Sequence, residues 1–330
     1  IGLDVKSITP TVIVSMYGWG TKDFVVGGHE RPFDDNKDGA IDSKDGRALE
    51  MVLDGKATNP RIAVNSAADG KWEVVFDLTP WTDLISAGTV SKVEVGVLPA
   101  LKNADDVAVA VSAVSKTFDL TAKKLVKFYP SVVKVEGCNE CHGALGTTFH
   151  APSYGGSVTV CSMCHIVKSG GSHLEMQGRS IDSYVHAIHS SQQFDIASVD
   201  FADPAQAEKF NLDSELPFPK HGITDCESCH NPGTYDVPSQ SRSLPGIISA
   251  SVNELKGKTR EIGGVPSYVT GPASLACGSC HRAELINEDS AKGLTLFNTH
   301  IKTYGYMVEA GEKPLDTLSG VWDQIMALFK

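Results

Sequence analysis

Residues Cys138 to His165 read CNECHGALGTTFHAPSYGGSVTVCSMCH and contain two copies of CxxCH. Two thiols separated by two residues lie one helical turn apart and can form thioethers to both vinyl groups of one porphyrin, and the histidine that follows reaches the iron. The first copy is Cys138, Cys141 and His142; the second is Cys161, Cys164 and His165. Two more follow, at Cys226, Cys229 and His230 and at Cys277, Cys280 and His281. Four covalently bound haem c groups are therefore predicted. Cys138, Cys141, Cys161 and Cys164 also have the spacing of a zinc ribbon. A ribbon does not require a histidine after every second cysteine, and the four motifs use all eight cysteines of the chain. A redox dithiol fits less well, because it needs one CxxC on a βαβ scaffold.

The composition narrows what else the chain can do. At 330 residues there is room for two domains of ordinary size. A net charge of -11, with scattered basic residues, argues against nucleic acid as a partner. No run approaches the length of a transmembrane helix. Ile1 is not followed by a basic and then an apolar region of a signal peptide. Since c-type haem is attached outside the cytoplasm, the expectation is an exported protein whose signal has been removed, with no cysteine at its start to carry lipid.

Residues 1–128 lack cysteine and hold one histidine, His29. Runs rich in β-branched residues, Thr11 to Tyr17, Trp72 to Asp77, Lys92 to Leu98 and Val107 to Val114, read as strands bounded by Gly, Pro, Asn and Asp. Val93, Val95 and Val97 alternate and would share one face. The fold predicted is an N-terminal all-β sandwich or barrel. LVKFYP, Leu125 to Pro130, is the expected junction.

Within this half, DDNKDGAIDSKD follows the calcium-loop template. Asp34, Asn36 and Asp38 occupy positions 1, 3 and 5, Gly39 the turn, Ala40 the carbonyl position, Asp42 position 9 and Asp45 position 12. The shorter Asp45 in place of the usual Glu resembles the variant loops of dockerins. A solvated acidic turn is the plainer reading, but five side chains and the glycine match. Gly27, Gly28 and Pro32 would break an entering helix, so the loop is expected between strands rather than in an EF-hand.

Residues 129–330 are expected to form a loop-rich, mostly helical or irregular tetrahaem domain with the porphyrins as its hydrophobic core. A C-terminal helix over Pro314 to Phe329 carries an apolar stripe expected to pack on that core. Of eleven histidines, four are proximal ligands, leaving His29, His150, His173, His186, His189, His221 and His300. Six of these seven lie in the haem half, which points to histidine on both sides of every iron. The distal ligands chosen are His150, His186, His189 and His300, with His173 and His221 in reserve. His186 and His189, three residues apart in SIDSYVHAIHSSQQ, share a helical face.

On the paired first sites with their histidine and Gly-Gly, on VHAIH at Val185 to His189, on FPKHGITDCESCH at Phe218 to His230, and on a last CxxCH followed by an isolated histidine, the haem half resembles the OmcA/MtrC family of extracellular multihaem cytochromes. The resemblance covers Val132 to Gly311, and the β-rich half is similar to that family's order of domains. It implies an outer-surface or secreted location, with the periplasm as the alternative. It implies electron transfer to metal oxides, soluble shuttles or other multihaem cytochromes, and it supports His150, His186, His189 and His300 as ligands. A family haem domain usually holds five haems, and this chain has four sites. That difference favours a subunit that joins copies of itself in a conducting filament over a standalone reductase. The alternative is an oxidoreductase with one open iron that reduces a small oxyanion.

Overall fold

The computed structural model describes residues 9–29, 37–40, 45, 48–67, 71–145, 156–166, 180–189, 203–205, 226–235, 247–249 and 268–270. Within this range the chain is rich in strands and has few helices. It divides into two compact units. The first comprises Ile1–Cys164, Ser228–Thr234 and Leu328–Lys330, the second His165–Glu227 and Tyr235–Ala327.

The centre of the first unit is β1, Thr11–Gly18, which is buried along its whole length. Its sequence TVIVSMYG explains this: β-branched and sulfur-containing side chains fill both faces of a strand that has neighbours on both edges. On one edge it pairs antiparallel with β2, Phe24–Val26, and β3, Glu50–Val52. On the other it pairs with β6, Val90–Leu98, which pairs with β9, Val114–Asp119, and that with β10, Lys124–Val126. The six strands form one antiparallel sheet. Two hairpins stand beside it: β4, Ile62–Ala67, with β5, Lys71–Phe76, and β7, Leu101–Lys102, with β8, Ala108–Val109. The strand-rich reading of this half holds, with a short helix, α1, Thr82–Ser86, packed on β6.

Two strand expectations change in detail. Val107 to Val114 is not one strand: Ala108 and Val109 pair with Lys102 and Leu101 in a hairpin closed by the Asn103 side chain, whereas Val114 pairs with Val97 of β6. The run is shared between β8 and the first residue of β9. Val93, Val95 and Val97 do lie on one face, but the opposite face of β6 is covered too, since Glu94 is 3 % exposed.

What covers that second face is a helix, α3, Val158–Cys164. Ile13 stands opposite Gly96 in the β1–β6 register. A side chain at Gly96 would press on both Ile13 and the Met163 sulfur, so the missing Cβ makes room for a fully buried Met163. The Met163 carbonyl accepts the Ser15 hydroxyl at 2.9 Å and the Gly28 N–H at 3.0 Å. Further along β1, Tyr17 stacks on Phe24 with ring centroids 4.3 Å apart and meets Phe128 edge-on at 4.9 Å. Phe128, inside the expected junction, is thus held against the sheet.

In the second unit α4, Ile181–His189, follows α3 in the chain, and a short antiparallel pair joins β11, Ile247–Ser249, to β12, Tyr268–Thr270. Among the described residues no helix is long and apolar enough to cross a membrane.

Candidate haem-binding site

Three of the four motifs fall within the described residues, and each sits on a helical turn. The first ends α2, Val135–Cys138: the Cys138 carbonyl accepts the N–H groups of Cys141 and His142 at 3.2 and 3.0 Å. The second occupies the end of α3, and the third opens on a 3-10 turn, Cys226–Ser228. A helical turn brings two cysteines three positions apart to one side of the backbone, which is what double attachment to one porphyrin requires. The residues present fit haem c.

The first and third motifs are stitched together. Val133 and His230 form an antiparallel bridge, with the Lys134 N–H donating to the Cys229 carbonyl at 2.8 Å and the Asn231 N–H to the Val132 carbonyl at 2.9 Å. The Thr234 hydroxyl adds a bond to the Val132 carbonyl at 2.8 Å. Gly137 is required here, because a Cβ would overlap the Ser228 carbonyl. The approach leaves the thiols of Cys138 and Cys229 hydrogen-bonded, and burial followed by that neighbouring sulfur pushes the Cys138 thiol up to about 11. Burial also raises the Cys161 thiol. Both shifts disfavour the thiolate form.

The histidines carry matching signs. Burial lowers the pKa of His230 and favours the neutral imidazole that a metal needs. In α4 the His189 Nδ1 lies 2.8 Å from the Val185 carbonyl. Donation to that carbonyl puts the ring proton on Nδ1 and the lone pair on Nε2, the usual division of labour in a ligating imidazole. His186 lies on the same helix. At its start the Ile181 N–H donates to the His165 carbonyl at 3.1 Å.

A further cluster had no signal in the sequence. His29 Nδ1 lies 2.6 Å from Glu50 Oε2, and the Cys164 sulfur lies with their ligand atoms inside a 4.8 Å span. Sequence assigns His29 no role, and its place beside the second motif depends on pairing between segments far apart in the chain.

Other expected residues fall outside the described range: Cys277, Cys280, His281, His150, His300, His173 and His221, and the C-terminal helix. So do Asp34, Asn36 and Asp42 of the acidic loop. The part of that loop which is described runs between β2 and β3. Gly39 has φ 91°, the Asp38 carboxylate accepts the Ala40 N–H at 3.0 Å, and Asp45 is 2 % exposed.

Covalent attachment turns on a strand-rich scaffold define a c-type cytochrome architecture, and comparison with known proteins gives the family. The family model for outer membrane cytochrome MtrC/MtrF-like, domains II/IV, matches residues 130–312, and the chain belongs to that family. This bears out the resemblance read from the motifs. Two solved structures are similar. MtrC from Shewanella baltica OS185 is 15% identical with a TM-score of 0.40, over 90% of this chain and 40% of that one. The outer membrane decaheme cytochrome OmcA is 15% identical with a TM-score of 0.48, over 89% of this chain and 38% of that one. The chain spans about two fifths of the length of either. No curated protein matches it.

Proposed function

We propose that the chain is an exported tetrahaem electron-transfer protein, acting at the outer-membrane surface or beyond it, that conducts electrons between other multihaem cytochromes, or copies of itself, and extracellular acceptors such as metal oxides or soluble shuttles. The observation that carries this reading is the repeated helical CxxCH turn with a histidine beside it. Bound haem supplies a one-electron iron couple whose potential depends on axial ligands, burial and nearby charge. The chain supplies thioethers from Cys138 and Cys141, Cys161 and Cys164, Cys226 and Cys229, and Cys277 and Cys280. His142, His165, His230 and His281 are the proximal ligands, and His150, His186, His189 and His300 the distal ones.

The stitched first and third motifs support those two haems as near neighbours, so order in space need not follow order in sequence. Residues 1–128 act as the β-rich domain and 129–330 as a loop-rich, mostly helical haem domain. Saturation of every iron by imidazole favours conduction over reduction of an oxyanion at an open site. The acidic loop is a calcium site that holds β2 and β3. Assembly into filaments is the form in which a four-haem subunit would conduct over long distances.

A pyridine haemochrome assay on the purified exported chain tests the core of this. Four haems per chain, low-spin spectra and no carbon monoxide binding by the reduced protein are expected. Fewer than four haems, or a high-spin centre as purified, would overturn it.

A further inference from the structure

The pair formed by His29 and Glu50 lies against the second attachment motif, and three backbone contacts explain why. Gly28 donates its N–H to the Met163 carbonyl at 3.0 Å, Leu49 to the Gly28 carbonyl at 3.1 Å, and Val14 to the Leu49 carbonyl at 2.9 Å. Each of His29, Glu50 and Cys164 is the residue after one of these hydrogen-bonded positions, so the three side chains converge. Ile13, 1 % exposed, stands opposite Glu50 in the pairing of β1 with β3. Glu50 is the inner member, 6 % exposed, and His29, at 47 %, faces solvent.

Nitrogen, oxygen and sulfur donors this close could hold a transition metal. That use conflicts with Cys164 as half of a CxxCH. A thioether has no thiolate to offer, and two remaining donors do not make a closed site. A buried carboxylate beside a porphyrin attachment point has a different use. Negative charge in a weakly screened site favours the ferric over the ferrous state, and an imidazole 2.6 Å from the carboxylate offsets part of that charge when it is protonated.

We infer that His29 and Glu50 set the reduction potential of the haem attached at Cys161 and Cys164, Glu50 lowering it and His29 moderating that effect. The inference rests on the proposed function, because it needs a haem at that motif. Neither residue is a ligand; both act through the charge they place at the porphyrin edge.

The test is a spectroelectrochemical titration of the intact haem-loaded chain, with electron paramagnetic resonance to follow the iron ligands. Glu50→Gln is expected to raise one one-electron transition by about threefold to tenfold in its equilibrium constant, tenfold corresponding to 59 mV. His29→Ala, which removes the offsetting partner, is expected to lower the same transition. Glu50→Asp, which keeps the charge, is expected to leave it nearly in place and covers the case in which Glu50→Gln does not fold. Transitions that stay fixed in Glu50→Gln, all four moving together, Glu50→Asp raising the transition as far as Glu50→Gln, or both His29→Ala and Glu50→Gln moving it in the same direction would overturn the inference. A haem count that lacks the second site fails the functional reading itself; a full count with an unmoved transition fails only this one.

Discussion

Gly28 and Met163 share a backbone hydrogen bond of 3.0 Å, which fastens the second CxxCH turn to the edge of the central sheet. The attachment is local in space and remote in sequence, so the scaffold and the cofactor site stabilise each other. Met163, the variable residue inside CSMCH, is fully buried against Gly96 and Ile13. Met163→Ala would leave a cavity and is expected to cost about 2–5 kcal/mol, read as a lower denaturant midpoint of the loaded protein. An unchanged midpoint would show that the helix does not depend on this contact.

Gly137→Ala forces a Cβ onto the Ser228 carbonyl, which cannot move without breaking the bridge between Val133 and His230. Overpacking of this kind costs about 1–3 kcal/mol. Thermal unfolding should show the loss, and amide exchange should rise at Lys134 and Asn231, the two donors of the bridge.

His189→Ala removes a proposed distal ligand while leaving the thioethers intact. The expected result is one high-spin haem and one carbon monoxide bound per reduced chain. Retention of a fully low-spin spectrum would reassign the ligand to another histidine.

Burial, and then the Glu94 carboxylate that accepts its hydroxyl at 3.2 Å, hold the Tyr17 phenol above its ordinary range. Up to about pH 10 both folded and unfolded chains keep this proton. Above that the unfolded chain releases it first, so Tyr17 makes stability fall as pH rises towards the folded-state value. Tyr17→Phe should flatten that alkaline decline in a series of denaturant titrations between pH 9 and 11. An equal slope in both proteins would assign the decline to other groups.

Chelation tests the acidic loop. If Asp34, Asn36, Asp38, Asp42 and Asp45 bind calcium in the folded state only, calcium at about a hundred times its dissociation constant adds roughly 2.7 kcal/mol. Excess chelator should then lower the melting temperature, and Asp38→Ala should abolish the response. A melting temperature indifferent to calcium would leave the loop as a hydrogen-bonded turn.

Much of this protein is legible along the chain. The cysteine and histidine spacing of each motif is short-range chemistry: thioether reach and axial ligation depend on residues within one helical turn, so linear sequence carries them. Strand runs such as Thr11 to Tyr17 are legible for the same reason, since β-branched side chains favour extended backbone whatever lies beside them. The break in Val107 to Val114 is not legible in this way, because its two ends pair with different strands, Val109 with Leu101 and Val114 with Val97.

Sequence by itself determined that this chain carries four CxxCH motifs of the haem-attachment type and that its first half is rich in strands. Tertiary structure alone decided that Cys138 meets Cys229, that Met163 plugs the sheet, and that His29 and Glu50 close on Cys164. Those neighbours come from strand register and helix docking, which bring together residues that no local spacing rule connects.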